Sequence, residues 1–158
     1  MTQRMFIEAR LRMTRQDLDQ VLSRLNDELI TFAPRAGMNT VGALLLEIAN
    51  KDREIVGYLR NHEWPDDEPD PFAEDSSLEE MKAGLDATRQ ATLRYVSELD
   101  AEQLDEIVRL PERWWEALRL LECPRSEMLR NIAMHEWYHT GQLVSYLWSR
   151  GDDPSTWE

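Results

Sequence analysis

Apolar residues recur along four stretches of the chain at spacings of three to five, close to the period of an amphipathic α-helix. The first stretch begins at Phe6, and its apolar stripe is Phe6, Ala9, Met13, Leu18, Val21, Leu22 and Leu25. The second follows Asn39, a residue type that favours the N-cap, and its stripe is Val41, Leu44, Leu45, Ile48, Ile55 and Leu59. Both patterns predict helices with one apolar face.

The third and fourth stretches carry clearer boundaries. Ser77 and Glu80 form a capping-box pattern ahead of the third stripe, which is Leu78, Met81, Leu85, Thr88, Thr92, Tyr95 and Leu99. The fourth helix is expected to start near Ser126, just after Pro124, and to end at Gly151. Its stripe is Met128, Ile132, His135, His139, Leu143 and Tyr146.

The connecting segments complete the predicted architecture. The segment 63–75 has three prolines, seven acidic residues and no basic one, which predicts a solvated loop. The segment 100–125 is long for a connection between helices, and "PERWWEALRLLECP" within it predicts a short extra helix. No β alternation is evident. We therefore expect an all-α four-helix bundle with a long crossover between helices 3 and 4, as a single domain over residues 1–158.

The fourth stripe contains the motif His-Glu-x-x-His at residues 135–139, which on a helix is typical of zinc proteases. The extended form of that motif fails, because Gln142 stands where a glycine belongs and Ser145 where a third histidine belongs. No sheet is predicted that would hold an extended peptide. The sequence therefore argues against a zinc protease.

His135 and His139 nevertheless lie one turn apart on the same helix face, so both imidazoles can reach one cation. They replace apolar residues in the stripe and should point into the bundle, where a buried polar group needs a partner. A metal ion is one such partner. Two core histidines that bond to neighbouring helices are the other interpretation.

The longer motif "HEWYHTGQL" resembles the last helix of the DinB-like family, which carries His-x-x-x-His followed by x-Gly-Gln. His135, His139, Gly141 and Gln142 match that pattern. The segment "APRAGMNTVGALLLEIANKDREIVGYL" is similar to the family's second helix with its preceding loop, and the resemblance covers nearly the whole chain. It implies a four-helix bundle with a metal between helices 2 and 4, and a homodimer.

The family usually takes its third metal ligand from helix 2, as a histidine. In this chain the corresponding position is Glu47, the only charged residue between Val41 and Asn50. The resemblance thus implies a divalent metal ion, of Zn, Ni, Fe or Mn, bound by Glu47, His135 and His139. Alternatively, Glu47 lies at the outer edge or only bonds a histidine, which leaves a weak or absent site. His62 is expected to be solvent-exposed.

A site with three protein ligands leaves positions open for substrate, which is typical of catalytic centres. The resemblance implies a metal-dependent enzyme on a small-molecule substrate, either a hydrolase or a thiol-dependent transferase. Glu136 could act as an acid or base, although a carboxylate on the helix surface is the favoured interpretation. The alternative function is a metal-poor bundle that acts as a stress-associated binding or oligomerisation protein.

Several aromatic residues and the single cysteine stay open. Trp114 and Trp115 could cover a substrate pocket, pack into the core or pair across a dimer, and Trp137 and Tyr138 lie off the histidine face. Cys123 is expected to be an idle thiol rather than a reactive one.

The net charge of the chain disfavours some classes of binding partner. With 18 basic and 31 acidic residues the formal charge is −13, which disfavours nucleic acid and anionic membranes. The lone cysteine, and the lack of an apolar leader or membrane-length segment, predict a cytoplasmic protein.

Overall fold

The computed structural model describes residues 2–157, except for the side chains of residues 116–118. Met1 and Glu158, the ends of the predicted single domain, lie outside the described residues. The elements in chain order are α1 (Gln3–Leu22), α2 (Val41–Asn61), α3 (Leu78–Glu98), α4 (Ala101–Asp105), β1 (Ile107–Arg109), α5 (Glu112–Leu118), β2 (Glu122–Pro124) and α6 (Arg125–Ser149). The predicted all-α class is confirmed.

Side-chain caps fix where the long helices begin. The capping box of Ser77 and Glu80 is present at the start of α3, as the sequence predicts. The predicted N-cap of α2 is wrong by one residue, because the Thr40 hydroxyl accepts from the backbone N–H of Ala43. Asn39 is thereby free for another contact, described below.

The four long helices pack side by side. α1 packs on α6 and α3, and α2 packs on α3 and α6. The hydroxyl of Tyr146 donates to the carbonyl of Asn39 at 2.9 Å, at the end of α6 and the start of α2. Because Glu47 in turn contacts His139, residue numbers rise along α2 as they fall along α6, and the two helices run antiparallel.

The segment between α3 and α6 contains the expected short helix, which is α5. The same segment also contains two short strands, β1 and β2, which pair antiparallel with Ile107 opposite Pro124 and Arg109 opposite Glu122. Strands of three residues are too short to show alternation in a sequence.

The predicted apolar stripe of α1 is wrong in its first half. Phe6 and Met13 are about half exposed, whereas Ile7 and Leu11 are buried and lead to Leu18. The true stripe passes through Thr14 and Arg15, which are also buried. Because two residues of the stripe are polar, its helical period is not evident when only apolar residues are followed.

The interior has two apolar clusters separated by a polar layer. Each long helix contributes to both clusters, and between them each places polar side chains in the interior. These buried groups are Thr14 and Arg15 on α1, Asp52 on α2, Arg89 and Thr92 on α3, and Glu136 on α6. The layer thus lies between Leu11 and Leu18 on α1, and between Ile48 and Ile55 on α2.

The acidic loop 63–75 is mostly exposed, as predicted, although Phe72 is buried. Its ring fills the space at Gly84, where an added Cβ would lie 2.4 Å from the ring. Over the described part of the chain, no helix combines the length and apolar character needed to cross a membrane.

Candidate metal centre

Helices α2 and α6 bring the three predicted ligands together. One ligand atom from each of Glu47, His135 and His139 lies within 4.8 Å of the other two. The Nε2 atom of His139 is 3.1 Å from Nε2 of His135 and 3.1 Å from Oε2 of Glu47. The i, i+4 spacing on α6 accounts for the two imidazoles, and the antiparallel packing of α2 supplies the carboxylate.

The hydrogen bonds of His139 fix which nitrogen carries its proton. Nδ1 lies 2.7 Å from the amide oxygen of Gln142, and the amide nitrogen of Gln142 donates to the hydroxyl of Tyr138 at 3.4 Å. Because the amide oxygen only accepts, Nδ1 of His139 is the donor in this contact, and Nε2 is the nitrogen that faces Glu47 and His135. In the neutral imidazole with this tautomer, Nε2 has the lone pair that a metal ion can accept.

His135 is held differently. Its Nδ1 atom is buried and has no hydrogen-bond partner among the described residues. Burial, the neighbouring His139 and the positive charge of Lys51 together lower the pKa of His135 to about 3. A neutral imidazole is the form that binds a metal ion.

Glu47 lies at the outer edge of the groove between α2 and α6. Its side chain is 45% exposed, against 7% for His139. The amide nitrogen of Asn39 donates to Oε1 at 2.8 Å, which leaves Oε2 directed at His139. The edge position and the contact with a histidine, both foreseen as alternatives to a metal ligand, are therefore present, and both are compatible with a ligand that solvent can reach.

These groups fit a divalent metal ion. In a tetrahedral site with bonds of about 2.1 Å, ligand atoms lie about 3.4 Å apart, close to the two distances of 3.1 Å. Two imidazoles and one carboxylate are a ligand set that suits several divalent ions.

A recess lies on one side of the candidate ligands, and a lysine on the other. On one side a recess of about 300 Å³ is lined by Met38, Asn39, Leu44, Tyr138, His139, Gln142 and Tyr146. On the other side lies Lys51, one turn after Glu47, with its Nζ atom 5.3 Å from the centre of the Trp114 ring. A small molecule therefore has room beside the candidate ligands.

Glu136 occupies neither of its predicted places. It is 1% exposed and belongs to the polar layer, where it accepts from Arg15 Nε at 2.8 Å, Arg89 Nη1 at 2.8 Å and Thr14 Oγ1 at 2.5 Å. The surface interpretation is wrong, because residue 136 follows a ligand and points to the opposite side, toward α1 and α3. With its carboxylate bound by two guanidinium groups, Glu136 is a structural residue.

Arg89 is the centre of this layer. It donates two hydrogen bonds to Asp52, at 3.0 and 2.9 Å, and one to the carbonyl of Leu11 at 2.6 Å, besides the bond to Glu136. Burial opposes the charge of Arg89, but Asp52 and Glu136 outweigh it and raise the pKa of the guanidinium above its ordinary value. The layer ties α2, which carries Glu47, to α6, which carries the histidines.

The remaining predicted residues take other places. His62 is exposed and ends α2 in a left-handed conformation, as expected for a residue that is not a ligand. Burial and nearby Glu127 raise the pKa of the Cys123 thiol, which is the opposite of activation. Trp114 and Trp115 are partly buried against the apolar cluster that contains Leu11 and Ile55. Trp137 and Tyr138 are exposed.

Two groups near the centre were not predicted. Lys51 follows Glu47 at i+4, a spacing that the sequence shows but that carries no motif. The polar layer is visible in the sequence only as polar residues that interrupt the apolar stripe of each long helix at the same level of the structure.

Taken together, two imidazoles on one long helix and a carboxylate on another define a helical protein with a candidate divalent-metal centre. A family model described as the DinB superfamily matches residues 10–143, a range that includes all three candidate ligands and Gln142. The chain therefore belongs to the DinB superfamily. No curated protein matches it.

Proposed function

We propose that this chain is a metal-dependent enzyme that acts on a small molecule, as a hydrolase or a thiol-dependent transferase. A divalent ion of Zn, Ni, Fe or Mn is held by Glu47, His135 and His139, within a four-helix bundle that has the segment between α3 and α6 as its long crossover. The observation that carries the proposal is the convergence of the three ligand atoms within 4.8 Å.

The chain's own residues divide the work at this site. Gln142 holds the proton of His139 on Nδ1 and so directs the Nε2 lone pair into the groove. Asn39 orients Glu47 through its Oε1 atom. A divalent ion there supplies Lewis acidity, which promotes deprotonation of a water or a thiol. The half-exposed Glu47 and the recess near Tyr138 leave the centre accessible to a substrate.

Metal analysis of protein purified without added metal or chelator tests the proposal. Wild type should carry one divalent ion per chain, and His135→Asn and Glu47→Gln should each lose it. His62→Asn is the matched control, because asparagine tolerates the left-handed conformation at that exposed position. The control should keep its metal.

Thermal unfolding gives a second measurement. At a free-metal concentration of about 100 times Kd, binding to the folded state alone adds about 2.7 kcal/mol to the free energy of unfolding. Wild type should therefore melt at a higher temperature with Zn, Ni, Mn or Fe(II). If no metal is bound and none of these ions raises the melting temperature, the metal-dependent function is ruled out.

A second candidate function is a metal-poor bundle that acts as a stress-associated binding or oligomerisation protein. It is favoured by the outer face of α6, where Met134, Trp137, Tyr138 and Trp148 are each about 60% exposed. Large apolar side chains on a surface often mark contact sites. The predicted homodimer would bury apolar surface of this kind. Under this candidate, Trp137→Ser should change the molecular mass measured by light scattering, while His135→Asn should change nothing.

A further inference from the structure

Lys51 shares the groove with the three candidate ligands. It follows Glu47 by one turn on the same face of α2. Because α2 and α6 run antiparallel, with Glu47 level with His139, Lys51 lies level with His135, one turn earlier on α6. The ammonium group thus stands beside the ligands rather than on a remote surface.

The surroundings of Lys51 leave its hydrogen-bonding capacity unused. Its side chain is only 17% exposed, and its Nζ atom lies against the Trp114 ring. Among the side chains that the structure describes, the carboxylate oxygen that pairs with Lys51 belongs to Glu54 and is 3.9 Å away, beyond hydrogen-bond distance. Among the described residues Lys51 donates no hydrogen bond, although an ammonium has three N–H donors. A partly buried ammonium without a hydrogen-bond acceptor in the described part of the chain favours an anionic oxygen from a ligand.

Other groups near Lys51 do not take that role. Arg113 is turned outward, where it pairs with Asp66 at 3.1 Å and stacks on the Trp64 ring at 4.6 Å. Burial raises the pKa of Glu54, the carboxylate 3.9 Å from Lys51. Of Lys51 and Arg113, Lys51 is therefore the one placed to meet an anion beside the candidate ligands.

We infer that Lys51 binds the carboxylate of the small-molecule substrate at the proposed metal centre, so that the substrate class is a carboxylic acid. The inference rests on the proposed function. A single ammonium matches one negative charge, whereas a phosphate dianion is generally bound by several donors. The Lys51 ammonium also lies 5.3 Å from the centre of the Trp114 ring, a cation–π contact that favours this position of the charge.

The test compares two thiols that differ only in charge. Protein loaded with Co(II) is titrated with 4-mercaptobutyrate and with its neutral amide, 4-mercaptobutanamide, and the sulfur-to-cobalt absorption band reports binding. Wild type should bind the carboxylate at least about tenfold more tightly than the amide, a ratio that corresponds to about 1.4 kcal/mol. Lys51→Met keeps an unbranched side chain but removes the charge, and it should bind both thiols equally.

Two further variants separate charge from structure. Lys51→Arg should keep the preference for the carboxylate. Lys82→Met replaces the chain's other lysine, which is on α3 and pairs with Glu79 at 3.4 Å, and should behave as wild type. The dissociation constant of Co(II) should be unchanged within about threefold in Lys51→Met, which is less than about 0.7 kcal/mol.

The outcomes are distinguishable. If wild type does not bind Co(II), the proposed function fails and this inference fails with it. If wild type binds Co(II) but Lys51→Met keeps the full preference for the carboxylate, or wild type has none, only the role of Lys51 is overturned. Loss of Co(II) binding in Lys51→Met also overturns that role, because Lys51 would then support the centre itself.

Discussion

Replacement of Arg89 by methionine tests whether the polar layer is a closed set of charges. Arg89 is 3% exposed, and its partners Asp52 and Glu136 are 0% and 1% exposed. In Arg89→Met, Asp52 loses both bonds to the guanidinium and keeps only the one from Thr92 at 2.6 Å. Glu136 loses one bond and keeps those from Arg15 and Thr14. The variant therefore buries one carboxylate with almost no compensation.

The expected cost follows from that imbalance. Removal of one partner from a buried ion pair destabilises a protein by about 3–5 kcal/mol, because the charge left behind has neither water nor a counter-ion. For a chain of this size, each kcal/mol lowers the melting temperature by about 2–4 °C. Arg89→Met should thus melt about 6–20 °C below wild type. Replacement of both partners, in Arg89→Met with Asp52→Leu, should cost less than Arg89→Met alone.

Urea unfolding followed by circular dichroism measures the free energies, provided that the slope with denaturant is unchanged. Arg94→Met is the matched control, because Arg94 is exposed on the same helix, and it should change stability by less than about 0.5 kcal/mol. A loss below about 1 kcal/mol in Arg89→Met, or no recovery in the double variant, would refute the idea that the layer is sealed from water and charge-balanced.

Two further predictions concern the centre and the packing of α2. Gln142→Leu removes the acceptor that holds the His139 proton on Nδ1, so metal affinity measured by competitive titration should fall about 10- to 100-fold. The free energy of unfolding without metal should change little. An unchanged affinity would contradict the assigned tautomer. Gly42→Ala places a Cβ 1.9 Å from the carbonyl oxygen of Glu74 and should lower the free energy of unfolding by about 1–3 kcal/mol. At Gly141 nothing lies within 4 Å of an added Cβ, so Gly141→Ala should raise the free energy of unfolding by about 0.5–1 kcal/mol. Equal effects at the two glycines, in chemical unfolding, would be inconsistent with the packing of α2 against the acidic loop.

The sequence was most informative where local chemistry decides the structure. The capping box of Ser77 and Glu80 and the proline before α6 set helix starts through neighbouring residues alone. The i, i+4 spacing of His135 and His139 likewise needs only one helix. The position of Glu47 beside them needed the resemblance to a known family, since it depends on how α2 packs on α6.

The polar layer and the register of α1 were not predictable by the same means. A hydrophobic pattern assigns charged residues to the surface, so Arg15 breaks the stripe of α1 and Glu136 is expected outside. Arg15 and Glu136 are stable in the interior because they pair with each other and because Arg89, itself paired with Asp52, contacts Glu136 from a third helix. A single helix carries no sign of a partner that comes from another one.

The charges along α2 bear on why Glu47 and Lys51 belong together in the proposed centre. A carboxylate ligand contributes a negative charge that a third histidine, the ligand usual in the family, would not. A divalent ion held with Glu47 is therefore less electrophilic and attracts an anionic substrate less strongly than one held by three neutral imidazoles. Lys51 returns a positive charge one turn away, in a half-enclosed place where water screens it less than on the surface. Relative to a centre with three histidines and no lysine, the proposed centre thus has less positive charge at the metal and more at Lys51. This distribution would favour a substrate whose negative charge lies at a distance from its reacting group. On this reasoning the double variant Glu47→His with Lys51→Met should bind metal as well as wild type and still have lost the preference for 4-mercaptobutyrate over its amide.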